Sequence, residues 1–112
     1  MEYPTGYVRW LRGLNDPEIQ RLQRKDAQQT KILLKDDEIL VDTCWVYDLD
    51  RWETGVYPSK TAKSCIIVEE YATKEDAIKG HEKWVKALTE NPKMELKACR
   101  DALDWGYGRG MK

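Results

Sequence analysis

The stretch over residues 68–88, VEEYATKEDAIKGHEKWVKAL, has the clearest pattern of apolar and polar positions in the chain. Its first residues predict a strand. Thr73, with Asp76 three residues later, predicts a capped start for a helix over residues 73–90. Apolar side chains and one histidine then recur at helical spacing, so one side of this helix is expected to face a core. That stripe consists of Ala77, Ile78, His81, Trp84, Val85 and Leu88.

Residues 39–71 alternate between two faces as strands do, and they predict a three-stranded antiparallel meander. The first strand carries apolar groups on both faces, which is typical of a central strand. In the third strand, Tyr71 is predicted on the same face as Cys65 and Ile67, opposite Ile66 and Val68. The three strands are predicted over residues 39–47, 51–57 and 64–71.

The flanking segments carry weaker patterns. Asp16 and Pro17 predict the start of a sparse, polar surface helix over residues 16–34, in which residues 31–34 (KILL) fit either the helix end or a short strand. Asn91 and Pro92 are expected to end the helix over residues 73–90, and spaced apolar residues predict a last helix over residues 92–105. Residues 1–15 are expected to form an N-terminal arm or a short edge strand, and residues 106–112 a flexible tail.

Together these elements predict an α+β fold in a single domain over residues 1–112. A three-stranded antiparallel β-meander is expected to pack against a C-terminal helical pair, with an N-terminal surface helix beside it.

Composition and charge argue against several classes of protein. With 19 basic and 20 acidic residues the net charge is −1, which argues against a dedicated polyanion binder, so nucleic acid is disfavoured as a partner. The three cysteines form no CxxC pair, which fits a reducing cytosol better than a disulfide framework. No stretch has the apolar length of a signal or membrane anchor, and we expect no membrane association.

Candidate chemistry centres on the single histidine. A Cys3His zinc site is disfavoured because its four ligands would come singly from four elements. His81 could act as a base beside Cys44 or Cys65, or beside a carboxylate such as Glu53 or Glu69; a core histidine with satisfied ring nitrogens is the favoured interpretation. We therefore predict no catalytic residues, no metal ligands and no cofactor.

Gly80 and His81 favour a structural role. A glycine inside a helix costs about 1 kcal/mol relative to alanine, so we expect another backbone segment or a large ring, such as that of Trp45 or Trp52, to pass close to this turn. His81 is then expected to hydrogen-bond to the sheet. The predicted structural motif consists of Thr73, Gly80, His81 and Trp84.

Exposed aromatic and basic side chains at both ends and in the Trp-rich hairpin predict a surface for protein binding. Arginine and aromatic side chains can also stack on single-stranded nucleic acid, which makes a nucleic-acid accessory role a third hypothesis. The candidate surface consists of Tyr7, Arg9, Trp10, Arg12, Arg21, Arg24, Trp52, Tyr57, Trp105, Tyr107 and Arg109.

The order of Trp52-Glu53-Thr54, residues 70–77 (EYATKEDA), Gly80-His81 and Trp84-Val85 resembles a pattern in small uncharacterised proteins of tailed bacteriophages and prophages. The resemblance covers roughly residues 39–90, and Asp76 stands where many of those proteins have Glu. It implies a phage origin and a location in the host cytoplasm or the virion, and it supplies no catalytic residues.

The expected function is that of a non-catalytic phage protein that acts through protein–protein binding, as a small virion or assembly component. Its partners would be copies of itself or other phage proteins. The alternative is an early phage factor that binds and modulates a host protein in host takeover or anti-defence.

Overall fold

The structure, a computed structural model, describes residues 16–47 and 49–99. In this part of the chain, four antiparallel strands form one sheet in the order β1-β2-β3-β4, and the longer of two helices lies across one face. The elements are α1 (Pro17–Arg24), β1 (Gln28–Leu33), β2 (Glu38–Val46), β3 (Arg51–Tyr57), β4 (Ile66–Tyr71) and α2 (Lys74–Glu90).

The α+β class and the antiparallel meander are confirmed, since β2, β3 and β4 are the three predicted strands. Val41 pairs with Val56, and Trp45 pairs with Trp52. The core lies between the sheet and α2, where apolar residues of alternating strand positions meet Leu88 of the helix. Its buried members are Ile32, Ile39, Val41, Val56, Val68 and Leu88.

The predicted helix over residues 16–34 is wrong beyond its first turns. Asp16 caps α1 by accepting a hydrogen bond from the Glu18 N–H, but the helix ends at Arg24. Asp26 adopts a φ of 60°, in the left-handed region that aspartate tolerates better than most residues, and this turns the chain into β1. The sheet therefore has a fourth strand. Of the two interpretations of residues 31–34, the short strand is the correct one, although the strand begins earlier, at Gln28.

The predicted C-terminal helical pair is also wrong as far as the description extends. Residues 92–99 form a turn followed by a segment without regular secondary structure, and they contain no helix. Met94 and Leu96 of this segment pack against the core, and the Cys99 N–H donates to the Ile67 carbonyl oxygen at 2.8 Å. Residues 100–105, the predicted arm over 1–15 and the predicted tail over 106–112 lie outside the described residues.

A β-bulge changes the faces of β4. Thr54 pairs with Glu69 whereas the next residue, Gly55, pairs with Ile67, so Val68 is the extra residue in β4. The extra residue reverses the alternation, and Tyr71 faces α2 instead of sharing the face of Ile67 as predicted. No helix within residues 16–47 and 49–99 is long and apolar enough to cross a membrane.

Candidate functional site

Helix α2 presents Gly80 and His81 to the sheet near the middle of the helix. Thr73 caps the helix by accepting a hydrogen bond from the Asp76 N–H at 3.1 Å, as predicted. This start sets the rotation of the helix, and its buried side contains Ala77, Gly80, His81 and Leu88. Gly80 and His81 therefore lie directly above the strands.

Gly80 lies against the ring of Tyr71. A Cβ atom at position 80 would overlap the hydroxyl oxygen and two ring carbons of Tyr71. The predicted close approach of a ring is present, but the ring belongs to Tyr71 of β4 and not to Trp45 or Trp52. The β-bulge supplies the reason, because it rotates Tyr71 onto the helix side.

His81 is held by two threonines of neighbouring strands. Its side chain is 5% exposed, with Nε2 at 2.8 Å from Thr30 Oγ1 of β1 and Nδ1 at 2.8 Å from Thr43 Oγ1 of β2. Both ring nitrogens are thus satisfied by the sheet, which is the hydrogen bonding predicted for a core histidine.

The hydrogen bonding continues across the other two strands. Thr43 Oγ1 lies 2.7 Å from Thr54 Oγ1 of β3, and Thr54 Oγ1 lies 3.0 Å from the Tyr71 hydroxyl of β4. The Tyr71 hydroxyl donates to Glu69 Oε1 at 3.0 Å. We call this continuous set the polar chain, and its members are Thr30, His81, Thr43, Thr54, Tyr71 and Glu69.

Glu69 ends the polar chain at the rim of the sheet. Besides Tyr71, its Oε1 accepts from Lys83 Nζ at 2.6 Å and from Trp84 Nε1 at 2.9 Å. Burial alone would raise the pKa of Glu69, but the hydrogen bonds from Lys83, Trp84 and Tyr71, with the charge of Lys83, lower it overall. Glu69 is therefore an ionised acceptor at neutral pH.

The hydroxyl protons of the polar chain can be placed by counting donors, because each hydroxyl has one hydrogen to give. Tyr71 donates to Glu69, and burial together with this carboxylate raises the pKa of Tyr71 so that it keeps its proton. Thr54 must then donate to the Tyr71 oxygen, and Thr43 to the Thr54 oxygen. All three hydrogens point from β2 toward β4.

The same count fixes the tautomer of His81. Burial lowers the pKa of His81, opposed by the charges of Asp42 and Glu82 that raise it, so the ring is neutral at pH 7. Because Thr43 has no hydrogen left for Nδ1, Nδ1 carries the ring hydrogen and donates to Thr43 Oγ1. Nε2 accepts from Thr30.

The alternative of His81 as a base for a cysteine thiol finds no geometric support, since His81 contacts threonine hydroxyls. Cys44 and Cys65 lie half-buried, and burial raises the pKa of Cys44 to about 11 and also raises that of Cys65. Thiols with raised pKa values are weak nucleophiles at neutral pH. Within the described ranges, no cluster of three or more His, Cys, Asp or Glu residues is arranged to hold a metal.

The structure describes only four residues of the predicted interaction surface. Arg21 pairs with Glu18 at 2.6 Å within α1, and Arg24 pairs with Asp42 of β2 at 3.1 Å. Trp52 lines a cleft beside α1, and Tyr57 is half-buried at the end of β3. The remaining candidates lie outside the described residues: Tyr7, Arg9, Trp10, Arg12, Trp105, Tyr107 and Arg109.

Four members of the polar chain were missed as site residues from the sequence: Thr30, Thr43, Thr54 and Tyr71. Glu69 was predicted only as a carboxylate beside His81, and its hydrogen bonds are to Tyr71, Lys83 and Trp84 instead. A signal existed in the two central strands, where Thr43 and Thr54 occupy inward positions that apolar residues usually fill. For Thr30 no such signal existed, because its strand was assigned to a helix.

Comparison with known proteins gives no match: no family model, no curated protein and no solved structure is similar to this chain. The resemblance to phage proteins therefore stays a prediction.

Proposed function

We propose that this chain is a non-catalytic protein of a tailed phage that binds other proteins, as a small component of the virion or of its assembly. The observation that carries the binding role is the outer edge of β1, where Leu33 is 78% exposed. The phage origin is supported by the sequence resemblance alone.

The direction of the backbone groups of β1 follows from its hairpin. The Leu34 N–H donates to the Asp37 carbonyl oxygen at 2.9 Å, so Leu34 and Asp37 form a hydrogen-bonded pair. Such pairs alternate along an antiparallel ladder, and hence Ile32 and Thr30 direct their backbone groups to β2. The N–H and C=O groups of Gln29, Lys31 and Leu33 point outward.

This outward row can receive an extended strand of another chain, as in β-augmentation. At the opposite edge of the sheet, the segment over residues 92–99 is hydrogen-bonded to β4, since the Cys99 N–H donates to the Ile67 carbonyl oxygen. Within the described residues no strand covers β1. Among residues 16–47 and 49–99 the two edges therefore differ, and β1 is the edge without a neighbouring segment.

A non-catalytic role is supported by the hydrogen bonds and pKa shifts of the side chains best suited to catalysis, the histidine and two cysteines. His81 is buried with both nitrogens engaged, and Cys44 and Cys65 have raised pKa values. In a catalytic site at least one such group would face a substrate.

The test is the solution mass of the full chain with Lys31→Pro and Lys31→Ala. Proline at position 31 removes an outward N–H and no hydrogen bond of the ladder with β2, although it also fixes φ at this position. We expect the wild type and Lys31→Ala to sediment as multiples of 13.2 kDa and Lys31→Pro as a folded monomer.

A wild type that stays at 13.2 kDa at high concentration contradicts the assembly role. An assembled Lys31→Pro variant shows that β1 is not the interface. An early factor that binds a host protein would present the same edge while remaining monomeric, and its gene would lie among early rather than structural genes.

A further inference from the structure

Gln28 carries the buried polar side-chain atom that lacks a hydrogen-bond partner among the described residues, namely Oε1. Gln28 lies two positions before Thr30 in β1, so both side chains are on the face toward α2. It is also paired with Thr43 across the ladder. Residue 28 is therefore a neighbour of both threonines that hold His81, along β1 in one case and across to β2 in the other.

The neutral and protonated forms of His81 require different hydrogen-bond roles of the Thr30 hydroxyl. In the neutral form, the Thr30 hydroxyl donates to Nε2. When Nε2 takes up a proton from water it becomes a donor, so Thr30 must accept from it and direct its own hydrogen elsewhere. The bond from Nδ1 to Thr43 is the same in both forms.

We propose that Gln28, Thr30 and His81 form a two-position hydrogen-bond switch, in which the Thr30 hydroxyl donates to His81 Nε2 at neutral pH and to Gln28 Oε1 once His81 is protonated. Helix α2 stays bonded to β1 in both positions. The device allows the buried histidine to gain a charge without leaving a polar hydrogen unpaired.

The groups around His81 oppose one another in their effect on its pKa. Asp42 of β2 and Glu82 of α2 carry the negative charges that favour the protonated ring. The sheet contributes uncharged partners on its helix side, namely Thr30, Thr43, Thr54 and the Tyr71 phenol, with ionised Glu69 at the far end of the polar chain. Burial opposes protonation, so the ring titrates below its ordinary value.

The experiment follows the imidazole nitrogens of the ¹⁵N-labelled full chain by NMR as the pH is lowered. The chain has one histidine, so its signals need no assignment. We expect the hydrogen on Nδ1 at neutral pH and hydrogens on both nitrogens at low pH, with the fold retained. In Gln28→Met, loss of the second acceptor should lower the midpoint by about 0.5 to 1 pH unit.

Gln29→Met is the matched control, because Gln29 is exposed and points to the opposite face; its midpoint should equal that of the wild type. Gln28→Ala deletes the acceptor without added bulk, and it provides the same comparison if Gln28→Met does not fold. An unchanged midpoint in a folded Gln28 variant overturns the proposal. A neutral ring with its hydrogen on Nε2 also overturns it.

Discussion

Gly80 and Tyr71 each depend on the size of the other. The Tyr71 ring occupies the space where any larger residue at position 80 would place its Cβ, and its hydroxyl joins Thr54 to Glu69. A displaced ring would therefore break the polar chain as well as the packing. This explains a glycine in the middle of α2, where helix propensity disfavours it.

Gly80→Ala is expected to lower the free energy of unfolding by about 1–3 kcal/mol, because overpacking outweighs the gain in helix propensity of about 1 kcal/mol. Urea denaturation of both proteins measures this difference. Lys86→Ala, an exposed substitution in the same helix, should change stability little. Gly80→Ala with wild-type or higher stability would contradict the close packing of Tyr71.

At the scale of elements, the sequence predicted β2, β3, β4 and the capped start of α2, because each has a regular apolar period. It failed for β1 for a physical reason. The positions of β1 that face α2 are Gln28, Thr30 and Ile32, and two of the three are polar because they lie beside the buried histidine. The apolar alternation that marks a strand is therefore absent where the strand serves the polar chain.

The other failures at this scale concern register and local apolar spacing. A β-bulge cannot be read from alternation, so the face of Tyr71 was assigned wrongly. Leu96 and Cys99 have a spacing typical of a helix, but Leu96 packs on the core from a segment without regular secondary structure and Cys99 bonds to β4. For the site, the motif of Gly80 and His81 was predictable, whereas its partners required the tertiary structure.

Asp37 joins two loops at one end of the sheet. Its Oδ1 accepts from the Glu38 N–H of its own hairpin and from the Lys60 N–H of the loop between β3 and β4, both at 2.8 Å. We expect Asp37→Ala to speed amide hydrogen exchange at Lys60 without affecting the centre of β2. Asp36→Ala, at an exposed position in the same turn, is the control. Unchanged exchange at Lys60 would show that this link is not maintained in solution.

For the whole molecule, stability should depend on pH through two members of the polar chain. The pKa of His81 is lowered by burial, so the unfolded chain binds more protons below the ordinary value of 6.5 and the free energy of unfolding falls as pH drops through that range. The pKa of Glu69 is lowered by its hydrogen bonds despite burial, so its contribution is lost further down, below its ordinary value of 4.5.

Thermal unfolding from about pH 7.5 to 5.5 measures the contribution of His81 to the pH dependence of stability. The wild type is expected to lose stability across this interval, whereas His81→Gln, although less stable throughout, should be nearly flat there. A wild type as flat as His81→Gln would show that folding does not disfavour the protonated ring.

The polar chain gives the sheet a net side-chain dipole across its strands, whereas its backbone has little net dipole. Dipoles of antiparallel strands largely cancel, but the hydroxyl groups of Thr43, Thr54 and Tyr71 all align toward Glu69. Their positive ends face the carboxylate at β4 and their negative ends face the imidazole between β1 and β2. One ordered row of hydroxyls thus favours an anion at the β4 side of the sheet and a cation beside β1 and β2.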